Sequence, residues 1–203
     1  QLDKLKEVVR AFNVPSIELP GYEADDIIGT LARRAEKEGV RTYMVTADKD
    51  FMQLISPMIT MYKPGKAGGE VELIDEDGVR SKFGVGPEQV IEILGLIGDS
   101  SDNIPGVTGI GPKTATPLIQ KYGSIPALYE HLDEVPQKGV REKLGANRDM
   151  AFLSRELVTI HTEVFMIKEC TIIPPKLCTC YLNGDKIFSA TGLISFYNFV
   201  ITK

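Results

Sequence analysis

Gly39-Val40-Arg41-Thr42-Tyr43-Met44-Val45-Thr46-Ala47-Asp48-Lys49-Asp50 governs how the rest of the chain is read. Val40–Thr46 is a short apolar, β-branched run of the kind that fills a buried strand. The segment before it, residues 22–38, carries helical periodicity and is closed by Gly39. Upstream, Leu2, Leu5, Val8, Val9 and Phe12 recur at helical spacing to about Asn13, and Pro15 leads into a short extended piece, Ser16–Leu19. Downstream, Phe51–Ile55 suits a short helix, Met58–Tyr62 a strand, Pro64–Gly69 a turn and Val71–Ile74 a fourth strand. Strands alternating with helices predict an α/β layer with a mostly parallel sheet flanked by helices.

The character changes after Gly78. Residues 87–98, 112–122, 125–132 and 148–157 read as helices separated by Gly/Pro-punctuated loops. The expected organisation is therefore an α/β part over 1–80, a helical part over 81–165 and a tail over 166–203 that lacks clear periodicity. Gln1 falls inside an amphipathic pattern, so the chain is expected to be a piece of a longer one.

Three acidic clusters punctuate this frame. Glu23, Asp25 and Asp26 open the helix of residues 22–38, with Glu23 and Asp26 on one face and Asp25 about 100° round from Asp26. Asp48 and Asp50 follow the Val40–Thr46 strand, and binding sites in open α/β sheets lie beyond the carboxyl ends of strands. Asp99 and Asp102 sit in Gly-Asp-Ser-Ser-Asp-Asn. Plain alternatives exist: an acidic first turn complements a helix dipole, and Asp50 is placed to cap the helix at Phe51. Yet each cluster adjoins apolar sequence, where uncompensated charge is costly. An oxygen-only ligand set points to Mg²⁺ or Mn²⁺ rather than zinc, and so to phosphate chemistry.

Gly106-Val-Thr-Gly-Ile-Gly-Pro-Lys-Thr-Ala is the most specific local pattern. Gly109 and Gly111 permit close backbone approach, Pro112 suits the first turn of the next helix, and Lys113 and Thr114 follow. Such a turn presents free N–H groups to a phosphate. It is no Walker A loop, because Pro112 separates Gly111 from Lys113-Thr114. No strand precedes it, which excludes a dinucleotide fingerprint.

Taken in order, Tyr-Glu-Ala-Asp-Asp, Thr-Ala-Asp-Lys-Asp, Gly-Asp-Ser-Ser-Asp-Asn-Ile-Pro-Gly-Val and Gly-Ile-Gly-Pro-Lys-Thr-Ala resemble the motifs of the flap-endonuclease (5′-nuclease) family, in particular the 5′–3′ exonuclease domains of bacterial DNA polymerase I. The likeness runs from Gly21 to about Val164. It implies a 5′-nuclease (PIN-like) α/β core followed by a helix-hairpin-helix, and hydrolysis of DNA phosphodiesters in replication and repair. Glu23, Asp25 and Asp26 would serve one divalent metal, and Asp48, Asp50, Asp99 and Asp102 a second with its outer shell. No catalytic residue beyond these ligands is implied. Gly109, Gly111, Lys113 and Thr114 would grip duplex phosphates, with a K⁺ ion on the hairpin's carbonyls. The implied substrate is DNA with a 5′ end or 5′ flap, the implied state a monomer, with a polymerase domain further along the same chain. The resemblance also shows departures. The family's first strand, which bears a ligand Asp, and its basic arch are not in this sequence, so a DNA-binding piece without catalysis is the competing expectation. Residues 165–184 are unlike the family, as a frameshift or divergent insertion would make them.

Composition is compatible with this. The 43% apolar and 25% charged content is that of a globular protein, with no apolar run of membrane-spanning length. Only three Cys occur, at 170, 178 and 180, which suits a reducing cytoplasm and offers no fourth zinc ligand at a known spacing. The net charge of −5 splits into −5 over residues 1–98, −2 over 99–165 and +2 beyond. Two divalent ions would bring the total to about −1, which permits DNA binding without promoting it. His131 and His161 are isolated and read as structural; Lys63, Lys66 and Lys82 read as solvated surface lysines.

Overall fold

The computed structural model describes residues 2–12, 16–65, 69–164, 179–182 and 185–188. The chain divides into two compact units, Gln1–Asp75 together with Ile160–Lys203, and Glu76–Thr159.

In the first unit, helix α1 (Leu2–Ala11) precedes α2 (Ala24–Lys37), strand β1 (Thr42–Val45), a 3₁₀ turn (Lys49–Leu54), β2 (Ile59–Lys63) and β3 (Glu72–Ile74). The sheet order is β1-β2-β3. β1 pairs parallel to β2, with Met44 opposite Met61, and β2 pairs antiparallel to β3, with Met61 opposite Ile74. Two expectations are corrected here. Ser16–Leu19 forms no strand, and the second pairing is antiparallel, so among the described residues this sheet has one pair of each kind. A connection of only eight residues between β2 and β3 explains the reversal, since a parallel return needs a crossover of a dozen or more.

The 3.6-residue period of α2 places Ile27, Ile28, Ala32 and Ala35 on its buried stripe. α2 packs against β1 and the 3₁₀ turn, where Met44, Phe51, Met52, Leu54, Ile59 and Met61 complete the apolar interior. The segment 160–164 lies in this unit too, and side chains rather than a strand ladder satisfy its backbone. Ile160 N–H donates to Gln53 Oε1 (3.0 Å), His161 N–H to Asp26 Oδ1 (2.9 Å) and Val164 N–H to Thr30 Oγ1 (3.2 Å).

The second unit is helical: α3 (Glu76–Phe83), a 3₁₀ turn (Pro87–Gln89), α4 (Val90–Ile97), α5 (Pro112–Tyr122), α6 (Ile125–Glu130), a 3₁₀ turn (Leu132–Glu134), α7 (Lys138–Ala146) and α8 (Arg148–Val158). Its core gathers Ile93 and Leu96 of α4, Ile119 of α5, Ile125 and Leu128 of α6 and Leu144 of α7. α3 and α7 are additions to what the sequence predicted. In the tail, β4 (Thr179–Leu182) and β5 (Asp185–Phe188) form an antiparallel pair. Cys170, Cys178 and Lys66 lie outside the described residues. Among those described, no helix is long and apolar enough to cross a membrane.

Candidate metal centre and nucleic-acid hairpin

At the start of α2, Glu23 is the N-cap and exposed, while Asp25 and Asp26 are half-buried. Asp26 Oδ2 accepts the Glu23 N–H at 3.3 Å, the return half of a capping box. Its other oxygen, Oδ1, accepts the His161 N–H. Asp26 thus ties the helix start to the 160–164 segment. A groove of about 510 Å³ lined by Tyr22, Ile160, His161, Thr162 and Glu163 runs beside it.

Beyond β1 the cap belongs to Asp48, not Asp50. Asp48 is the N-cap of the 3₁₀ turn, and its Oδ1 accepts the Asp50 N–H at 3.1 Å, while its own N–H donates to Thr46 Oγ1. Asp50 is therefore released from capping and is 9% exposed. An acid this deep needs compensation from donors or a cation.

In the second unit, Asp99 and Asp102 stand on a closed loop. The Asp99 N–H donates to the Ile104 carbonyl (2.9 Å) and the Ile104 N–H to the Asp99 carbonyl (2.7 Å), so residues 99–104 form a backbone-locked clip. Inside it Asp99 Oδ1 accepts the Ser101 N–H at 2.8 Å, and Asn103 takes a left-handed conformation, φ 59°. Gly98 (φ 73°) and Gly106 (φ 61°) flank the clip back to back. A Cβ on Gly106 would fall 2.4 Å from the Gly98 nitrogen, so only glycine allows this approach. Ser154 of α8, fully buried, accepts the Gly106 N–H at 2.9 Å and holds the clip to the core. Asp99, 8% exposed, and the exposed Asp102 bring carboxylate oxygens within 4.8 Å of each other. Two like charges at that spacing repel, and a hard cation that takes oxygen ligands offsets the repulsion.

The hairpin follows without a break. Gly109 is left-handed (φ 77°), Gly111 caps α5, and Pro112 occupies its first turn. The Gly111 carbonyl accepts the N–H groups of Thr114 and Ala115 (both 2.9 Å). Gly109, Gly111 and Lys113 are exposed and Thr114 is partly so, as a phosphate contact requires. A further basic residue, absent from the sequence reading, reaches this turn: Lys143 Nζ of α7 donates to the Gly109 carbonyl at 3.1 Å. Thirty-four residues separate the two, and no local pattern links them.

Residues 1–84 match the model of the 5′–3′ exonuclease N-terminal resolvase-like domain, and residues 85–176 that of the 5′–3′ exonuclease C-terminal SAM fold. The chain belongs to the 5′–3′ exonuclease family. It is 43% identical over 163 residues to a DNA polymerase I of Bacillus caldotenax, with 80% of this chain and 19% of the relative aligned. It is 47% identical over 164 residues to one of Rhizobium leguminosarum, with 81% and 16% aligned. The chain thus spans less than a fifth of these relatives. Among solved structures, the phage T5 5′-exonuclease with divalent metal ions (zinc) bound aligns at TM-score 0.67 and 22% identity, covering 79% of this chain and 59% of that one. The catalytic core of Rad2 in complex with DNA substrate aligns at TM-score 0.55 and 20% identity, covering 78% and 54%. At these identities the likeness is one of fold: an α/β layer followed by a helical region, as expected from the sequence.

Proposed function

We propose that this chain supplies a metal-dependent 5′–3′ exonuclease and flap-endonuclease activity on DNA, within a longer polypeptide that also carries a polymerase. The observation that carries this reading is the direct attachment of an acidic clip to a phosphate-type hairpin. Gly98 and Gly106 fuse the loop bearing Asp99 and Asp102 to the turn bearing Gly109, Gly111, Lys113 and Thr114. Structural relatives solved with divalent metal ions and with DNA substrate support the same reading.

Glu23, Asp25 and Asp26 are assigned to one Mg²⁺ or Mn²⁺ ion, and Asp48, Asp50, Asp99 and Asp102 to a second with its outer shell. Such ions, when bound, activate water and offset charge on the scissile phosphate. The chain's own contribution is orientation. Asp48 is set by Thr46 and the 3₁₀ cap, and Asp99 by the clip. The hairpin grips duplex phosphates and reads no bases, so affinity should fall steeply with salt. Its carbonyls are donors of the type K⁺ takes, although that of Gly109 already accepts the Lys143 ammonium. A monomer acting in the cytoplasm belongs to the same proposal.

Cleavage of a 5′-flap duplex in Mg²⁺ or Mn²⁺ tests the reading. Asp102→Asn should slow cleavage by about 100-fold or more while leaving duplex affinity within about twofold. Binding without cleavage by the unmodified chain would favour a DNA-binding role alone, and equal losses of binding and cleavage would make Asp102 structural.

A further inference from the structure

Lys143 is exposed, yet its ammonium has a fixed seat. Besides donating to the Gly109 carbonyl, it stands over the glycine itself: a Cβ built at position 109 would lie 2.9 Å from Nζ and 3.2 Å from Cε. The left-handed backbone of Gly109 and its missing side chain together make the recess into which the lysine fits. Its chain is held at the base as well, where Asn147 Nδ2 donates to the Lys143 carbonyl at 2.9 Å.

The position of this charge on the hairpin is what sets it apart from its neighbours. Arg155 is paired with Glu92, Lys138 faces Glu142, Arg148 lies over the rings of Tyr129 and Phe152, and Arg141, which also donates to a neutral carbonyl, does so to Val135 rather than to the hairpin. Lys143 donates to a neutral carbonyl of the hairpin itself, which, among the described residues, leaves its full positive charge and two of its three N–H donors at the hairpin's surface. A cation held this way loses little further freedom when an anion arrives, so its contact is preorganised.

Resting on the duplex-binding reading above, we propose that Lys143 is a phosphate-contacting residue of the hairpin. It reaches the DNA backbone from α7 as a cation seated permanently on the Gly109 carbonyl. It serves there in place of a bound monovalent ion, so the hairpin's affinity should not distinguish K⁺ from Na⁺.

The test is duplex affinity as a function of salt for the chain and for Lys143→Met, Lys143→Arg and Lys113→Ala. Lys143→Met should weaken binding about tenfold at low salt and lower the slope of log affinity against log salt by about 0.9, the value of one phosphate contact. Lys143→Arg should keep most of both, and thermal unfolding of Lys143→Met should be nearly unchanged because the side chain is exposed. A stabilising role alone would shift unfolding and leave the slope intact. An unchanged slope in Lys143→Met, or tighter binding of the unmodified chain in KCl than in equal NaCl, overturns the proposal. If Lys113→Ala weakens binding while Lys143→Met does not, only the Lys143 assignment fails. If the unmodified chain does not bind duplex at all, the reading of the hairpin fails with it.

Discussion

Glu92 is the only charged residue in the eight-residue apolar helix α4 and is 4% exposed. Both its oxygens accept from Arg155 Nε at 2.9 Å, and Oε2 also accepts the Ile125 N–H, one of the orphan donors at the start of α6. One carboxylate thus joins α4, α6 and α8, and its hydrogen bond holds the Arg155 guanidinium above its ordinary pKa. Glu92→Ala would strand a buried N–H and an arginine. It should cost about 3 kcal/mol of unfolding free energy in urea, the low end for a broken buried pair because the Arg155 side chain is 35% exposed. A loss under about 1 kcal/mol would mean that water replaces the carboxylate. None of this was legible in Val90–Ile97, since the partners lie 33 and 63 residues away. The seven candidate metal acids were legible because each cluster breaks an apolar pattern. The second task of Asp26 was not, because the His161 N–H that it accepts is 135 residues distant.

At the scale of elements, the sequence disclosed helices with a full apolar stripe and hid those without one. α5 and α8 were placed to within a residue. α3, Glu-Asp-Gly-Val-Arg-Ser-Lys-Phe, buries only Val79, and α7, Lys-Gly-Val-Arg-Glu-Lys-Leu-Gly-Ala, only Leu144; both carry glycine in the first turn. Tertiary anchors hold α7 instead. The Tyr129 hydroxyl of α6 donates to the Leu144 carbonyl at 2.9 Å, satisfying an acceptor in the helix's last turn. Burial, opposed in part by Arg148, pushes the Tyr129 phenol up from 10.0 to about 12. The folded state therefore keeps this proton where the unfolded chain has lost it. The stability it represents is complete below the ordinary tyrosine pKa and declines as pH rises from about 10 through about 12. In denaturant titrations at about pH 9 and 11, the unmodified chain should lose more stability on going alkaline than Tyr129→Phe. Parallel losses in the two would show that other groups govern the alkaline limb.

For the whole molecule, the alternation of strands and helices gave the α/β-then-helical order. It did not show that residues 160–164 belong to the first unit. That segment has no period of its own, and Gln53, Asp26 and Thr30 capture its N–H groups one by one. Charge, by contrast, can be read at this scale from composition. With a net −5 and its acids gathered in clusters, the chain carries self-repulsion that a bound divalent cation relieves and that the unfolded chain, its acids dispersed, escapes. Metal should therefore stabilise the fold by linkage, by about 2.7 kcal/mol at a hundred times its dissociation constant. The measurement is thermal unfolding in metal-free buffer, in Mg²⁺ and in NaCl of matched ionic strength. Site binding raises the midpoint in Mg²⁺ well beyond the NaCl increment, whereas diffuse screening gives equal increments. Asp99→Asn combined with Asp102→Asn should raise the metal-free midpoint, because two like charges are removed from one clip, and should shrink the Mg²⁺ increment. If the doubly substituted chain keeps the full increment, the cation sits elsewhere and the clip is only a structural loop.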